Sequence, residues 1–133
     1  MAFYRTRQGA VTASSSFTAL GSLYGQSTTA AIQVPAGASQ IVGIIATMSQ
    51  DGAAAGTSTF AVQLSGDGLS NGQETIVIGS STNVGTETSD GRSNVPMTLD
   101  VAIPCVGSNQ VSVAAAMDTD LGTCSAAVTL VFA

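Results

Sequence analysis

Met97-Thr98-Leu99-Asp100-Val101-Ala102-Ile103-Pro104-Cys105, Gln110-Val111-Ser112-Val113-Ala114-Ala115-Ala116-Met117 and Thr123-Cys124-Ser125-Ala126-Ala127-Val128-Thr129-Leu130-Val131-Phe132 are three successive runs late in a 133-residue chain. Their period decides the fold class. Met97, Leu99, Val101, Ile103 and Cys105 share one side of an extended chain, with Thr98, Asp100, Ala102 and Pro104 on the other. Val111, Val113, Ala115 and Met117 repeat the pattern, as do Cys124, Ala126, Val128, Leu130 and Phe132. Alternation at period two over short runs is the mark of half-buried antiparallel strands, because successive side chains of a strand point to opposite faces.

Upstream, the same pattern continues. Phe60, Val62 and Leu64 alternate with Thr59, Ala61 and Gln63, and Ile76/Ile78 and Ile32/Val34 keep the step of two. The runs are separated by turn formers: Pro35 with Gly37, Asp51-Gly52, Asp67-Gly68, Asn71-Gly72, Asp90-Gly91, Gly107 and Gly122. Gly takes positive φ without strain and Asn or Asp tolerates it, so these dipeptides end strands in tight turns. Strands are therefore expected near 2–8, 11–20, 28–34, 39–50, 57–65, 73–80, 97–105, 110–118 and 123–132. No window has the 3.6-residue period of a long amphipathic helix.

Eight or nine strands in a chain this short make one domain, either two packed antiparallel sheets or a barrel. The expected architecture is an all-β two-sheet sandwich, an eight-stranded single jelly roll, with residues 1–8 as an N-terminal arm or edge strand and 9–133 as the sandwich. An immunoglobulin-like sandwich ranks second. The chain has no Trp, and its two cysteines are too close in sequence for the antibody-type core.

Charge narrows the function. Only 8% of residues are charged, against about 25% in ordinary soluble domains. There is no Lys and no His, and about a quarter of the chain is Ser or Thr. Mixed surface charge is what usually keeps copies of a soluble protein apart. Its scarcity points to a subunit whose surface is covered by other copies. The net charge of −5 and pI near 4.1 argue against a general nucleic-acid binder. No run approaches the roughly 18 apolar residues of a membrane-spanning helix. No segment reads as an export signal, and no N-glycosylation sequon occurs.

The missing residue types also exclude chemistry. Without His there is no Ser-His-Asp or Cys-His nucleophile and no imidazole metal site, and without Lys no P-loop lysine or Schiff base. Catalysis would have to rest on Asp51, Asp67, Glu74, Glu87, Asp90, Asp100, Asp118 and Asp120, most of them in expected turns, where Asp has a structural reason to be. The 67–72 turn begins like a calcium-binding EF-hand loop. It fails that pattern at Leu69, and again at Ile78, where a bidentate Glu is needed. Asp118-Thr119-Asp120 reads as an acidic turn. No enzyme, cofactor or metal centre is expected.

Two groups of residues are candidate sites. Arg5 and Arg7 lie on one side of an extended N-terminal segment, where they can contact packaged nucleic acid, anionic lipid or a neighbouring subunit. The alternative for both is a solvated chain start. By alternation Cys105 and Cys124 both point to the core, as two buried thiols or as a disulfide. The disulfide requires Cα atoms within about 4.4–6.8 Å.

In size, strand pattern and composition the whole chain resembles the small single jelly-roll capsid proteins of icosahedral viruses. It is most similar to those of archaeal viruses from hot acidic habitats, which are likewise rich in Ala, Ser, Thr and Gly and poor in charge. The resemblance implies a structural coat subunit of the virion. It would self-assemble in many copies, with other coat proteins as further partners, and its N-terminal arm would contact packaged nucleic acid or an internal membrane. Two alternatives follow from the residues: an extracellular fibre or surface-layer subunit, and a ligand- or receptor-binding β-sandwich.

Overall fold

The computed structural model describes residues 2–11, 16–21, 31–51, 56–83, 96–117 and 123–133. These residues form nine strands and no helix: β1 Phe3–Val11, β2 Thr18–Ala19, β3 Ala31–Gln33, β4 Gln40–Asp51, β5 Gly56–Ser65, β6 Gln73–Asn83, β7 Pro96–Pro104, β8 Gln110–Met117 and β9 Thr123–Phe132.

Every pairing is antiparallel, and the order follows from doubling the chain back on itself at residues 66–72. From that turn outward β5 pairs β6, β4 pairs β7, β3 and β2 pair β8, and β1 pairs β9. This long ribbon is rolled so that β9 also pairs β4 and β8 also pairs β5. One sheet is thereby β1-β9-β4-β7. In the other, β8-β5-β6 are joined at the β8 edge by β2 and β3, placed end to end. The chain is a single jelly roll: an all-β sandwich in which a rolled two-stranded ribbon supplies both sheets. The immunoglobulin-like order is not formed.

The inner faces are those read from the alternation. Phe60, Val62, Leu64, Val111, Val113, Val128, Leu130 and Phe132 are fully buried, with Ile32, Val34, Ile41 and Ile44. Ile76 and Ile78 both turn inward, Val77 is 62% exposed, and a bulge opposite Phe60/Ala61 absorbs one residue of β6. A second bulge interrupts β4 between Ile41 and Gly43.

The N-terminal segment departs from expectation in its extent. Of the two expectations, arm or edge strand, it is an edge strand, but it runs on past Gln8, in register with β9 from Phe3↔Phe132 to Val11↔Cys124. Gly9 does not end it. Gly9 lies against Leu20, and a Cβ there would meet Leu20 Cδ2 at 3.5 Å, an ordinary contact. Gln8 and Gly21 exchange two backbone hydrogen bonds of 3.0 Å, tying the edge of one sheet to the other. The strands expected at 11–20 and 28–34 are represented by the short β2 and β3, with 12–15 and 22–30 outside the described residues.

One end of the sandwich is cross-tied by its turns. Pro35 O accepts from Ala38 N with Gly37 at φ +87°, a type II turn. Gly68 N donates to Gln110 O and Val106 N to Gly68 O, each at 2.8 Å. Cys105 N donates to Ser39 O, and Ser108, itself at φ +70°, donates from its N–H to Val34 O. The 66–72 and 105–109 turns and the 34–39 connection thus hold one another in place.

Candidate functional site

On the edge strand β1, Arg5 is opposite Leu130 and Arg7 opposite Val128. Directly paired residues of an antiparallel ladder point to the same face. Since Leu130 and Val128 are core residues, both arginines point inward, while Tyr4, Thr6 and Gln8 point out. Thr6 Oγ1 shares a 2.8 Å hydrogen bond with Thr129 Oγ1 on that outer face. Being at the edge, the two guanidinium groups reach out of the gap between the sheets toward β3. They line a groove of about 510 Å³ with Phe3, Gln33, Val34, Pro35, Ala36 and Ser108.

The two cations are held differently. Arg7 donates from one terminal nitrogen to Thr6 O at 2.8 Å and from the other to Ala31 O at 2.7 Å, the second bond stitching β1 to β3. Its Nε–H is shielded from solvent and has no acceptor among the described residues. Burial, and then the charge of Arg5, lower the pKa of Arg7 below the usual arginine value. Arg5 is exposed, and among the described residues its side chain bonds only to the adjacent Tyr4 O, at 2.9 Å. Among the described residues no Asp or Glu lines the groove. On the far rim Gln33 Nε2 donates to Ser108 O at 3.3 Å.

The acids are not assembled into a site. Asp67 Oδ1 accepts from Gln110 N, closing the turn, and Glu74 Oε1 accepts from Asn71 Nδ2. Asp100 is exposed on the outer face of β7. Glu87, Asp90, Asp118 and Asp120 fall outside the described residues, as do Arg92 and the side chain of Asp51. Among the described residues no three Cys, Asp or Glu side chains come together.

Cys105 is a buried free thiol, and burial pushes its pKa up. Cys124, whose side chain lies outside the description, pairs through its backbone with Gln50 of β4, whereas Cys105 follows Pro104, the partner of Gln40. Ten residues of β4 separate those positions. At about 3.3 Å per residue this is roughly 30 Å, well beyond disulfide reach.

The outer faces of the sheets carry the other functional signal. Ala31 and Gln33 of β3, Ser112 and Ala114 of β8, Ala61, Gln63 and Ser65 of β5, and Gln73, Thr75 and Val77 of β6 form one outer face. It holds no ionisable side chain among the described residues. The other outer face, with Tyr4, Thr6, Ile45, Thr47, Ala127, Thr129 and Val131, adds a single acid, Asp100. The sequence indicated the low charge. It did not indicate the groove, which depends on the inward side of β1 facing β3.

Comparison with known protein families finds no match, and comparison with curated proteins finds none either.

Proposed function

We propose that the chain is a structural subunit that assembles in many copies into a closed viral shell, a coat protein whose body is the jelly roll. The observation that carries this reading is the pair of sheet faces with one charged side chain, Asp100, between them among the described side chains. Small neutral side chains let a neighbouring copy approach a flat face without stripping water from a charge, the costly step when charged surfaces are buried. The jelly roll itself serves many unrelated functions, so the argument rests on the faces and not on the fold. With no acids gathered in a cleft among the described residues and no His or Lys in the chain, the role needs no catalytic step. Its place would be the virion, and its partners other copies and further coat proteins. The alternative location is an extracellular surface.

A contact between Arg5 or Arg7 and packaged nucleic acid or membrane belongs to the same proposal in a changed form. The two arginines sit in a groove on a paired strand, not on a free arm. The groove also favours a second reading, a ligand-binding sandwich.

The test is negative-stain electron microscopy with light-scattering mass on the purified protein. Closed shells of uniform diameter support the coat reading. Filaments would move it to a fibre subunit, and a monomer that stays monomeric at high concentration would refute assembly.

A further inference from the structure

Two arginines on the inner side of an edge strand have a mundane use. An inward charge discourages an exposed edge from pairing with another chain. One charge suffices for that, and no cavity is needed. Here there are two, side by side, over a groove of about 510 Å³, within the roughly 300–1,000 Å³ of small-molecule sites. Neither makes an ion pair with any described residue, and Arg5 commits one N–H of the five a guanidinium offers. The groove wall is mixed: Phe3, Val34 and Pro35 are apolar, and Gln33 and Ser108 place polar groups on the far rim.

We propose that this groove binds a small phosphate-bearing molecule, the phosphate held between Arg5 and Arg7 and its organic body lying on Phe3 and Pro35. Residues two apart on a strand are about 6.6 Å apart, close enough for the Arg5 fork and the second N–H of an Arg7 terminal nitrogen, whose first is held by Thr6 O or Ala31 O, to reach one group. A phosphate monoester carries close to two negative charges at neutral pH and so offsets both cations, where a carboxylate offsets one. The recessed position selects a group that can enter the gap between β1 and β3 over one presented on a flat surface. This inference does not depend on assembly, because every groove residue belongs to one chain.

Equilibrium dialysis of the full chain against adenosine monophosphate at low salt tests it, with adenosine as control and inorganic phosphate as competitor. The expected result is saturable binding of one nucleotide per chain that adenosine does not reproduce and phosphate displaces. Arg5→Gln should weaken it at least about tenfold, the loss of a charge-assisted hydrogen bond. The described side-chain hydrogen bond of Arg5 is to its own strand, so an unchanged urea midpoint would show that the variant still folds. Flotation with vesicles containing phosphatidic acid, set against phosphatidylcholine alone, separates the sources. Capture that phosphate competes and Arg5→Gln abolishes assigns the phosphate to a lipid headgroup. Adenosine binding as tightly as the nucleotide, or nucleotide binding that Arg5→Gln leaves intact, would overturn the proposal, as would the absence of saturable binding of either phosphate source.

Discussion

Replacing Gly68 by Ala should destabilise the protein more than the same change at any other described turn glycine that has open space around it. Gly68 lies where the ribbon doubles back, and its N–H and C=O reach Gln110 O and Val106 N. A Cβ there would stand 2.7 Å from Gln110 O, 2.7 Å from Val111 Cγ2 and 2.8 Å from Gln110 C. Optimal carbon contacts are about 3.5–4.0 Å, so two backbone atoms must retreat by most of an ångström. Overpacking of this kind costs about 1–3 kcal/mol. The retreat also lengthens the Gly68–Gln110 hydrogen bond, which contributes about 1 kcal/mol. The expected total is about 3 kcal/mol. Two controls isolate the cause. Gly72 sits at φ +80° with nothing within 4 Å of a Cβ, so Ala there meets only left-handed strain of about 1–2 kcal/mol. Gly43 has no positive φ, and its nearest neighbour, Val131, is at 3.5 Å, an ordinary contact, so Ala should change stability by no more than about 0.5 kcal/mol. Urea unfolding of dissociated subunits reads all three. With a slope of about 1.5 kcal/mol per molar, Gly68→Ala moves the midpoint down by about 2 M. The steric reasoning fails if Gly68→Ala is no more destabilising than Gly72→Ala.

Further outcomes follow from the same geometry. Arg7→Gln should cost about 1–2 kcal/mol by removing the bond to Ala31 O, while Arg5→Gln stays within about 0.5 kcal/mol; equal urea midpoints would mean that the stitch between β1 and β3 contributes nothing. Cys105 should react slowly with Ellman's reagent in the folded protein and fast in urea. Because burial raises its pKa in the folded state, its contribution to stability is fully present below the ordinary thiol value of 9.0 and is lost as pH rises through the folded-state value. Cys105→Ala should flatten that alkaline decline, and an identical pH profile in the variant would disprove the link. Ala114→Lys, on the uncharged outer face and beside Gln63, should leave the subunit's stability within about 0.5 kcal/mol. In assembly, burying its ammonium should raise the critical concentration about 100-fold or more by light scattering. Unimpaired shells would show that this face does not pack on a neighbour.

Much of the fold was legible because burial on one side leaves a period of two. Val111/Val113 and Val128/Leu130/Phe132 announced their inner face, and the Asp67-Gly68 and Asn71-Gly72 pairs marked the turn at the centre of the roll. What was illegible needed register. Alternation says that Arg5 and Arg7 share a side with Phe3. Charges on an edge normally face water, and only the pairing of Arg5 with Leu130 shows that they turn inward. Gly9 reads locally as a break, since Gly weakens strands; the ladder with β9 carries the strand through it, with Gly9 opposite Ala126. The separation of Cys105 from Cys124 likewise depends on which ends of β4 they adjoin. Ser108 enters the groove because its turn bonds to Val34, which no local pattern predicts.

The pairing of β1 with β9 has a consequence for synthesis. A ribosome delivers β1 first, yet among the described strands its sole full-length partner is β9, which comes last. Until β9 emerges, β1 and β4 have no strand between them, and the sheet they share is missing its middle. The sheet cannot close before β9 is made, and the nascent N-terminal strand must wait with an open edge. During that wait Arg5 and Arg7 give the strand a charged side that makes it a poor template for a neighbouring nascent chain. On the coat-protein reading, subunits competent to assemble appear only after β9 is complete, which separates folding in time from any growing shell.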